Sequence, residues 1–479
     1  MFSLAITLGL YSYAILLLGI LHLLTKQNII LVTIPFVIFV ILSVREGSRN
    51  IYRFFVSLRM TEKLLFLLIV IQCLVNLIGA LGAEIGFDAL WYHLMIPKIW
   101  LQNHSIFFIP GAQFKYSVMP MLTEMFYFIF PGKLIHFSFG ILSLIVTYKI
   151  SRSMLAVLIL SSNLVFGWLS TSAYIDLART FFEILALYLF LDNKIYKSAI
   201  VLGLAASTKL LAFGSLPIFW ILIWLKTKSL KYIIHYSVFM ILVVSPWLLR
   251  AYLSTGNPVY PFFSPLYTDT RISLDPRNLL KLLTHSSDPI NPIYLIILLL
   301  LPFTVTTLPK KIKLICIYSI LAIMIWVITP NTGGGRFILP YLPALSIVAV
   351  ATIKNHKFLV LLVILYSLFS ISYRFAANLK FLQPKETLLA QKLNFNFGDY
   401  YDFDHFFKPS DRVLPIGINN LYYLNAHIAM PNENFDYILH RDNPLPPNYQ
   451  NWKQVLQNQL TKTSIYQNPI MPPKEVAAP

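Results

Sequence analysis

Residues 64–88 read LLFLLIVIQCLVNLIGALGAEIGFD. From Leu64 to Gly82 no residue is charged, and at 1.5 Å per residue the run is long enough to cross a hydrocarbon layer of about 30 Å as a helix. It ends at Glu84 and Asp88, and carboxylates at such a boundary are costly unless they are paired, solvated or used. One stretch therefore sets both questions: a bundle of spanning helices, and chemistry in the loop that follows one of them.

Working outward, the 479 residues are 57% hydrophobic and 12% charged, with a mean hydropathy of +0.67, more apolar surface than a soluble core needs. Further apolar blocks at 3–24, 28–43, 133–150, 154–169, 171–191, 197–207, 210–225, 232–249, 290–308, 312–328, 338–352 and 358–373 predict, with 64–82, about 13 spans. The first block lacks a small-residue cleavage site and reads as a retained helix. Lys and Arg collect on alternate loops: Arg45 to Lys63; Lys149 and Arg152; Lys194 and Lys197; Lys226, Lys228 and Lys231; Lys310, Lys311 and Lys313; Lys354 and Lys357. Short cytoplasmic loops hold the positive excess, which puts the amino terminus inside a plasma membrane. This topology accounts for the net charge of +18 and removes the main support for nucleic-acid binding. Cys73 and Cys316 lie within predicted spans and offer no disulfide framework.

The outer face then receives residues 83–131, 207–209, 250–289, 331–336 and the tail from 374. The first of these carries the acidic pair Glu84 and Asp88, with Tyr92 and His93 a turn later. An aromatic belt accounts for Trp91, Tyr92 and Trp100 without any function, but no belt requires Asp88. Residues 120–130 read as a helix lying in the interface, with Glu124 either a second carboxylate of the site or a solvated face residue. Asp176, in SAYIDLARTFFE, pairs with Arg179 at i, i+3 in the simplest reading and otherwise faces Asp88 across a cavity. Lys209 ends GLAASTK, whose Gly203, Ala205, Ala206 and Ser207 let helices approach closely; it snorkels or binds phosphate. Arg250 leads into STGNPVYP, where Gly256, Asn257, Pro258 and Pro261, around Tyr260, fix a surface turn. NTGGGRFILPYLP sets Arg336, a fork of donors suited to phosphate, directly behind three glycines.

The succession FDALWYHL, AYIDLA, GLAASTK, SPWLLRAYLSTGNPVYP and GGGRFILPYLP resembles the GT-C superfamily of integral membrane glycosyltransferases, most of all the bacterial branch grouped with protein O-mannosyltransferases and the lipid A aminoarabinose transferase (glycosyltransferase family 39-like). The resemblance implies an all-α polytopic GT-C fold in residues 1–374, with the first catalytic outer loop at 83–131. It also implies a small extracytoplasmic α/β domain at 375–479, where Arg412 to Ile416 reads as a strand and NPIMPPKEVAAP has the composition of a disordered end. The implied activity is an inverting hexosyltransferase, mannosyltransferase-like, taking sugar from a polyprenyl-phosphate donor to a glycan, lipid or protein acceptor at the membrane lipid surface.

On that resemblance Asp88 is the position of the catalytic base and Lys209, Arg250 and Arg336 contact the donor phosphate; the reading of the residues adds Asp176 and Glu124 as candidate catalytic carboxylates and Tyr92, His93, Asn257 and Tyr260 as candidate substrate contacts. Protein O-mannosyltransferases carry an Asp-Glu pair where this chain has Asp88 followed by Ala89. No cofactor is expected: no HExxH or paired-cysteine motif is present, His93, His104 and His285 are isolated, and no GxxxxGK[ST] cradle suits a nucleotide sugar. Some GT-C enzymes do use a divalent cation. The competing readings are a polymerase or ligase using pyrophosphate-linked glycan, whose arginines would lie in 250–289, and a transporter of lipid-linked sugars, which would favour repeated halves and midplane charges.

Overall fold

The computed structural model describes residues 1–57, 59–110, 113–265, 289–329, 335–391, 403, 406–430, 433–441, 445–459 and 461–470; of residues 42–57 and 390–391 it describes only the backbone. His285, the segment 331–334 with two of the three glycines, and the carboxy-terminal 471–479 lie outside the described residues.

Among the described residues, eight helices are long and apolar enough to cross a membrane: Phe2–Ile20, Met60–Leu81, Gly132–Ser151, Leu210–Thr227, Leu230–Thr255, Lys310–Ile328, Gly335–Ile353 and Lys357–Leu382. Lys26–Ile41, Ile195–Thr208 and Ile293–Thr307 are shorter and apolar. The chain is a multi-pass membrane protein. Lys357–Asn378 illustrates its lipid face: Leu361, Leu365, Leu368 and Phe369 are exposed, while Val363, Ser367, Ser370 and Arg374 are buried. Such a stripe is stable only against an apolar solvent, since the backbone is satisfied within the helix and the side chains need no water.

Two blocks depart from a simple crossing. Block 154–169 is two short helices, Met154–Ser161 and Leu164–Leu169. The Asn163 amide donates back to the Ile159 and Leu160 carbonyls at 2.8 and 2.9 Å, and its oxygen accepts the Asn291 N–H at 2.8 Å, so a side chain competes with the helix ladder at the break. In block 171–191 the helix starts only at Asp176. Almost every residue of Asp176–Leu191 is buried, and this helix is the centre of the bundle.

Gly203 brings Ile195–Thr208 onto Leu230–Thr255. A methyl group there would lie 2.6 Å from Val243 Cβ and 2.8 Å from the Met240 carbonyl, so the contact that the small residues of GLAAS promise is made with a helix later in sequence than the neighbouring 210–225. Because the obstacle includes backbone, Gly203→Ala is expected to cost about 1–3 kcal/mol, read as a lower midpoint of unfolding in detergent. An unchanged midpoint would mean that the two helices are not in contact at Gly203.

Among the described residues the tail forms one five-stranded sheet from β1 (Arg412–Ile416), β2 (His427–Ile428), β3 (Tyr437–Arg441), β4 (Lys453–Gln457) and β5 (Thr463–Gln467), in the order β2-β1-β3-β5-β4. The strand expected at Arg412 to Ile416 is β1. It lies parallel to both β2 and β3, whereas β5 runs antiparallel to β3 and β4.

Candidate functional site

The segment after Met60–Leu81 does not continue as a helix. Asp88 leads into a wide π-turn at Ala89–His93, closed by Leu94 N–H to the Ala89 carbonyl at 2.9 Å, a local geometry that recurs at functional sites. The Asp88 N–H donates to the Tyr174 hydroxyl at 3.3 Å, which ties this loop to the turn before Asp176.

Four charges from four distant parts of the chain meet there. Arg336 Nη1 lies 2.7 Å from Asp88 Oδ2, Arg336 Nε lies 3.7 Å from Asp176 Oδ2, and Lys209 Nζ lies 2.6 Å from Asp176 Oδ1. The result is a row Lys209, Asp176, Arg336, Asp88. Asp176 occupies the first position of its helix, where the dipole favours a carboxylate. The Tyr174 ring lies 5.0 Å from the Arg336 guanidinium, and the Phe337 ring 4.8 Å from Lys209 Nζ, so aromatic faces support both cations. Burial alone would raise the Asp88 carboxyl; the Arg336 guanidinium beside it, helped by His93 and Lys209, outweighs burial and holds it below its ordinary value. Arg336 Nε and Asp176 Oδ2 are both buried without a hydrogen bond among the described residues.

A second pair borders the row. His93 Nδ1 and Glu124 Oε1 are 2.7 Å apart, with side chains 3% and 1% exposed, and Glu124 Oε2 has no hydrogen-bond partner among the described residues. The Tyr92 ring lies between those of His93 and Tyr116, tilted to both, at ring distances of 4.2 and 4.6 Å. Residues 120–130 therefore do not form one helix, and Glu124 is buried rather than on a solvated face. Glu124–Phe128 is a short buried 3-10 turn, whose approach is fixed by Leu122 N–H to the Ser207 carbonyl at 3.0 Å and by Ser12 Oγ to the Leu122 carbonyl at 2.8 Å. It turns inward because Glu124 finds a partner there.

The other expected residues are placed differently. Arg179 does not pair with Asp176; its Nε bonds Glu183 at 2.6 Å, one full turn along the helix where the two side chains align. Arg250 stands apart from the row of four. It donates to the Phe107 and Ser117 carbonyls at 3.0 and 2.8 Å and lies 5.1 Å from the Trp100 ring, and its Nη1 meets no partner among the described residues. Asn257 is used by its own turn, its amide donating to the Phe262 carbonyl at 2.7 Å and its oxygen accepting the Val259 N–H at 3.0 Å. Tyr260 meets Phe108 edge-on at 6.0 Å. Glu84 separates from Asp88: it accepts the N–H groups of Ile85 and Gly86 at 2.8 and 2.6 Å and that of Ala173, a clamp between two loops. Burial raises the Glu84 carboxyl despite Lys133 and those three donors. No group of three or more His, Cys, Asp or Glu arranged to hold a metal occurs among the described residues.

No family model matches the chain, and no curated protein matches it in sequence. Two crystal structures of ArnT from Cupriavidus metallidurans do match in three dimensions. The apo form gives a TM-score of 0.57 at 12% identity over 85% of this chain and 98% of that one. The form bound to undecaprenyl phosphate gives 0.54 at 11% identity, over 84% and 97%. The fold is the GT-C fold of ArnT. At such low identity the ArnT likeness is one of architecture, and the chemistry of the site rests on this chain's own residues.

Within the GT-C fold, sequence reasoning passed over Tyr174, whose hydroxyl receives the Asp88 N–H, and His136. His136 Nδ1 lies 2.8 Å from both the Leu169 and Ser172 carbonyls, and Nε2 accepts the Leu177 N–H at 2.8 Å. It caps the helix that begins at Asp176 from a neighbouring span. A histidine in an apolar block was the available signal, and nothing local distinguishes such a cap from a packed core residue.

Proposed function

We propose that the chain is an inverting glycosyltransferase of the outer membrane face, moving a mannose-like hexose from a polyprenyl-phosphate donor to an acceptor hydroxyl. The observation that carries this reading is the row Lys209, Asp176, Arg336, Asp88, set on a GT-C fold whose counterpart ArnT has been seen with undecaprenyl phosphate. The positive-inside pattern supports the outer placement.

A sugar on a lipid phosphate already has a good leaving group at C1. The acceptor oxygen forms its bond to C1 from the face opposite the phosphate, the C1–O bond to phosphate breaks with its electron pair passing to the phosphate, and Asp88 takes the acceptor's proton. Charge balances locally. The row is neutral at rest, with two carboxylates and two cations, and it gains one positive charge when Asp88 is protonated, as the phosphate goes from one negative charge to two. Lys209 and Arg336 are the cations of the row that would meet the phosphate oxygens. Arg250 belongs to the carrier's surroundings in this reading, and Asn257 and Tyr260 shape the loop beside it.

Undecaprenyl phosphate is expected to raise the unfolding midpoint of the purified protein, because a ligand that binds only the folded state stabilises it. The shift should shrink strongly in Arg336→Gln and Lys209→Gln. An equal shift in both variants would remove these residues from phosphate binding.

A further inference from the structure

The loop 417–426 of the tail belongs neither to the charged row nor to its supports, yet it is tied to the segment that carries Asp88. The Ile418 carbonyl accepts from Gln113 Nε2. Lys98 Nζ donates to the Tyr422 and Leu424 carbonyls at 2.8 and 2.7 Å, Gln102 Nε2 donates to the Ala426 carbonyl at 3.3 Å, and the Tyr423 hydroxyl donates to the Glu84 carbonyl at 2.8 Å. The Gln113 carbonyl in turn accepts Trp91 Nε1 at 2.7 Å, three residues beyond Asp88.

The chain leaves β1 for β2 on one side of the sheet, and leaves β3 for β4 and β5 on the other. The carboxyl ends of β1 and β3 thus flank a switch in direction. Gly417, at φ +75°, turns the chain out of β1 directly over the Arg441 carbonyl, a backbone conformation that favours glycine.

Between the two ties at Ile418 and Tyr422 stands Asn420. It is 1% exposed, and neither its Nδ2 nor its Oδ1 meets a hydrogen-bond partner among the described residues. A buried amide with both ends unbonded calls for a third party, and an amide that offers donor and acceptor side by side matches neighbouring hydroxyls on a sugar ring.

We infer that Asn420 is a specificity-determining residue that reads the hydroxyls of a sugar ring held where the tail loop 417–426 meets the first long loop. The inference rests on the transferase reading and adds a recognition element from the tail. The ring is either the donor's hexose or a saccharide acceptor, since both present the same chemistry.

The test uses the full chain in detergent with radiolabelled undecaprenyl-phosphate hexoses, comparing wild type, Asn420→Leu and Asn420→Ala. The Leu variant removes an unbonded amide at nearly constant shape, so its unfolding midpoint is expected to equal or exceed that of wild type. Its kcat/KM is expected to fall about tenfold or more through KM, and the Ala variant to fall likewise. Loss of donor hydrolysis without acceptor assigns the hydroxyls to the donor; loss of transfer with hydrolysis retained assigns them to the acceptor; both support the inference. Unchanged kcat/KM in both variants overturns it, as does a fall in activity that only tracks a lowered midpoint, the signature of a bridging water or a packing role. If the wild type turns over no donor, the transferase reading fails first and takes this inference with it.

Discussion

Asp88→Asn is expected to lower kcat/KM by about 10²–10⁴-fold, the range that general-base catalysis contributes, with little change in the unfolding midpoint because the amide can still accept from Arg336. The pH dependence separates Asp88 from its neighbour. Its carboxyl is held below its ordinary value by Arg336 against the opposing effect of burial, so it stays ionised down to the bottom of the carboxylate range. The acid limb of kcat/KM should therefore lie below about pH 4. Stability carries the same sign: a depressed carboxyl contributes above its unfolded value of about 3.9 and loses that contribution as pH falls through the folded value. Activity retained in Asp88→Asn would pass the base to another group, with His93 and its Glu124 partner the nearest pair.

The largest stability effect is expected deeper in the bundle, at Glu183→Ala. Arg179 and Glu183 are 2% and 0% exposed, and Ser215 Oγ donates to Glu183 at 2.5 Å while Arg179 donates to the Tyr341 hydroxyl at 3.0 Å. Removing the carboxylate strands a guanidinium among apolar helices, at a cost of about 3–5 kcal/mol. Replacing both partners by leucine should recover most of that loss, because the desolvation of two charges disappears with the charges. Equilibrium unfolding in detergent distinguishes the cases. A loss below about 1 kcal/mol for Glu183→Ala would place the pair in contact with water.

The individual charges of the site were legible in the sequence because a charge beside an apolar block is exceptional: Asp88, Asp176, Lys209 and Arg336 each stood out on that ground. Their arrangement was not legible, since four residues spread from 88 to 336 meet only through packing. Local rules misled where a tertiary partner existed. Spacing alone allows Arg179 to pair with Asp176, but Asp176 is the first residue of its helix and faces Lys209 and Arg336, which leaves Arg179 to Glu183. Hydropathy drew 154–169 as one span because it registers apolar content and not the Asn163 side chain that breaks the ladder. Residues 120–130 read as an interfacial helix because they are apolar but short with Glu124 at their centre, whereas the fold buries Glu124 against His93. In the tail, the apolar strand at Arg412 to Ile416 could be read, whereas the grip of Lys98, Gln102 and Gln113 on the loop after it uses backbone carbonyls, which leave no trace in side-chain pattern.

The central claim is that a polyprenyl-phosphate sugar is consumed at Asp88. Purified protein incubated with a panel of radiolabelled polyprenyl-phosphate sugars and membrane extract should transfer label, or slowly release it as free sugar, in wild type and not in Asp88→Asn. Failure to turn over any donor, with movement of intact lipid-linked sugar across vesicles instead, would contradict the account and favour a transporter.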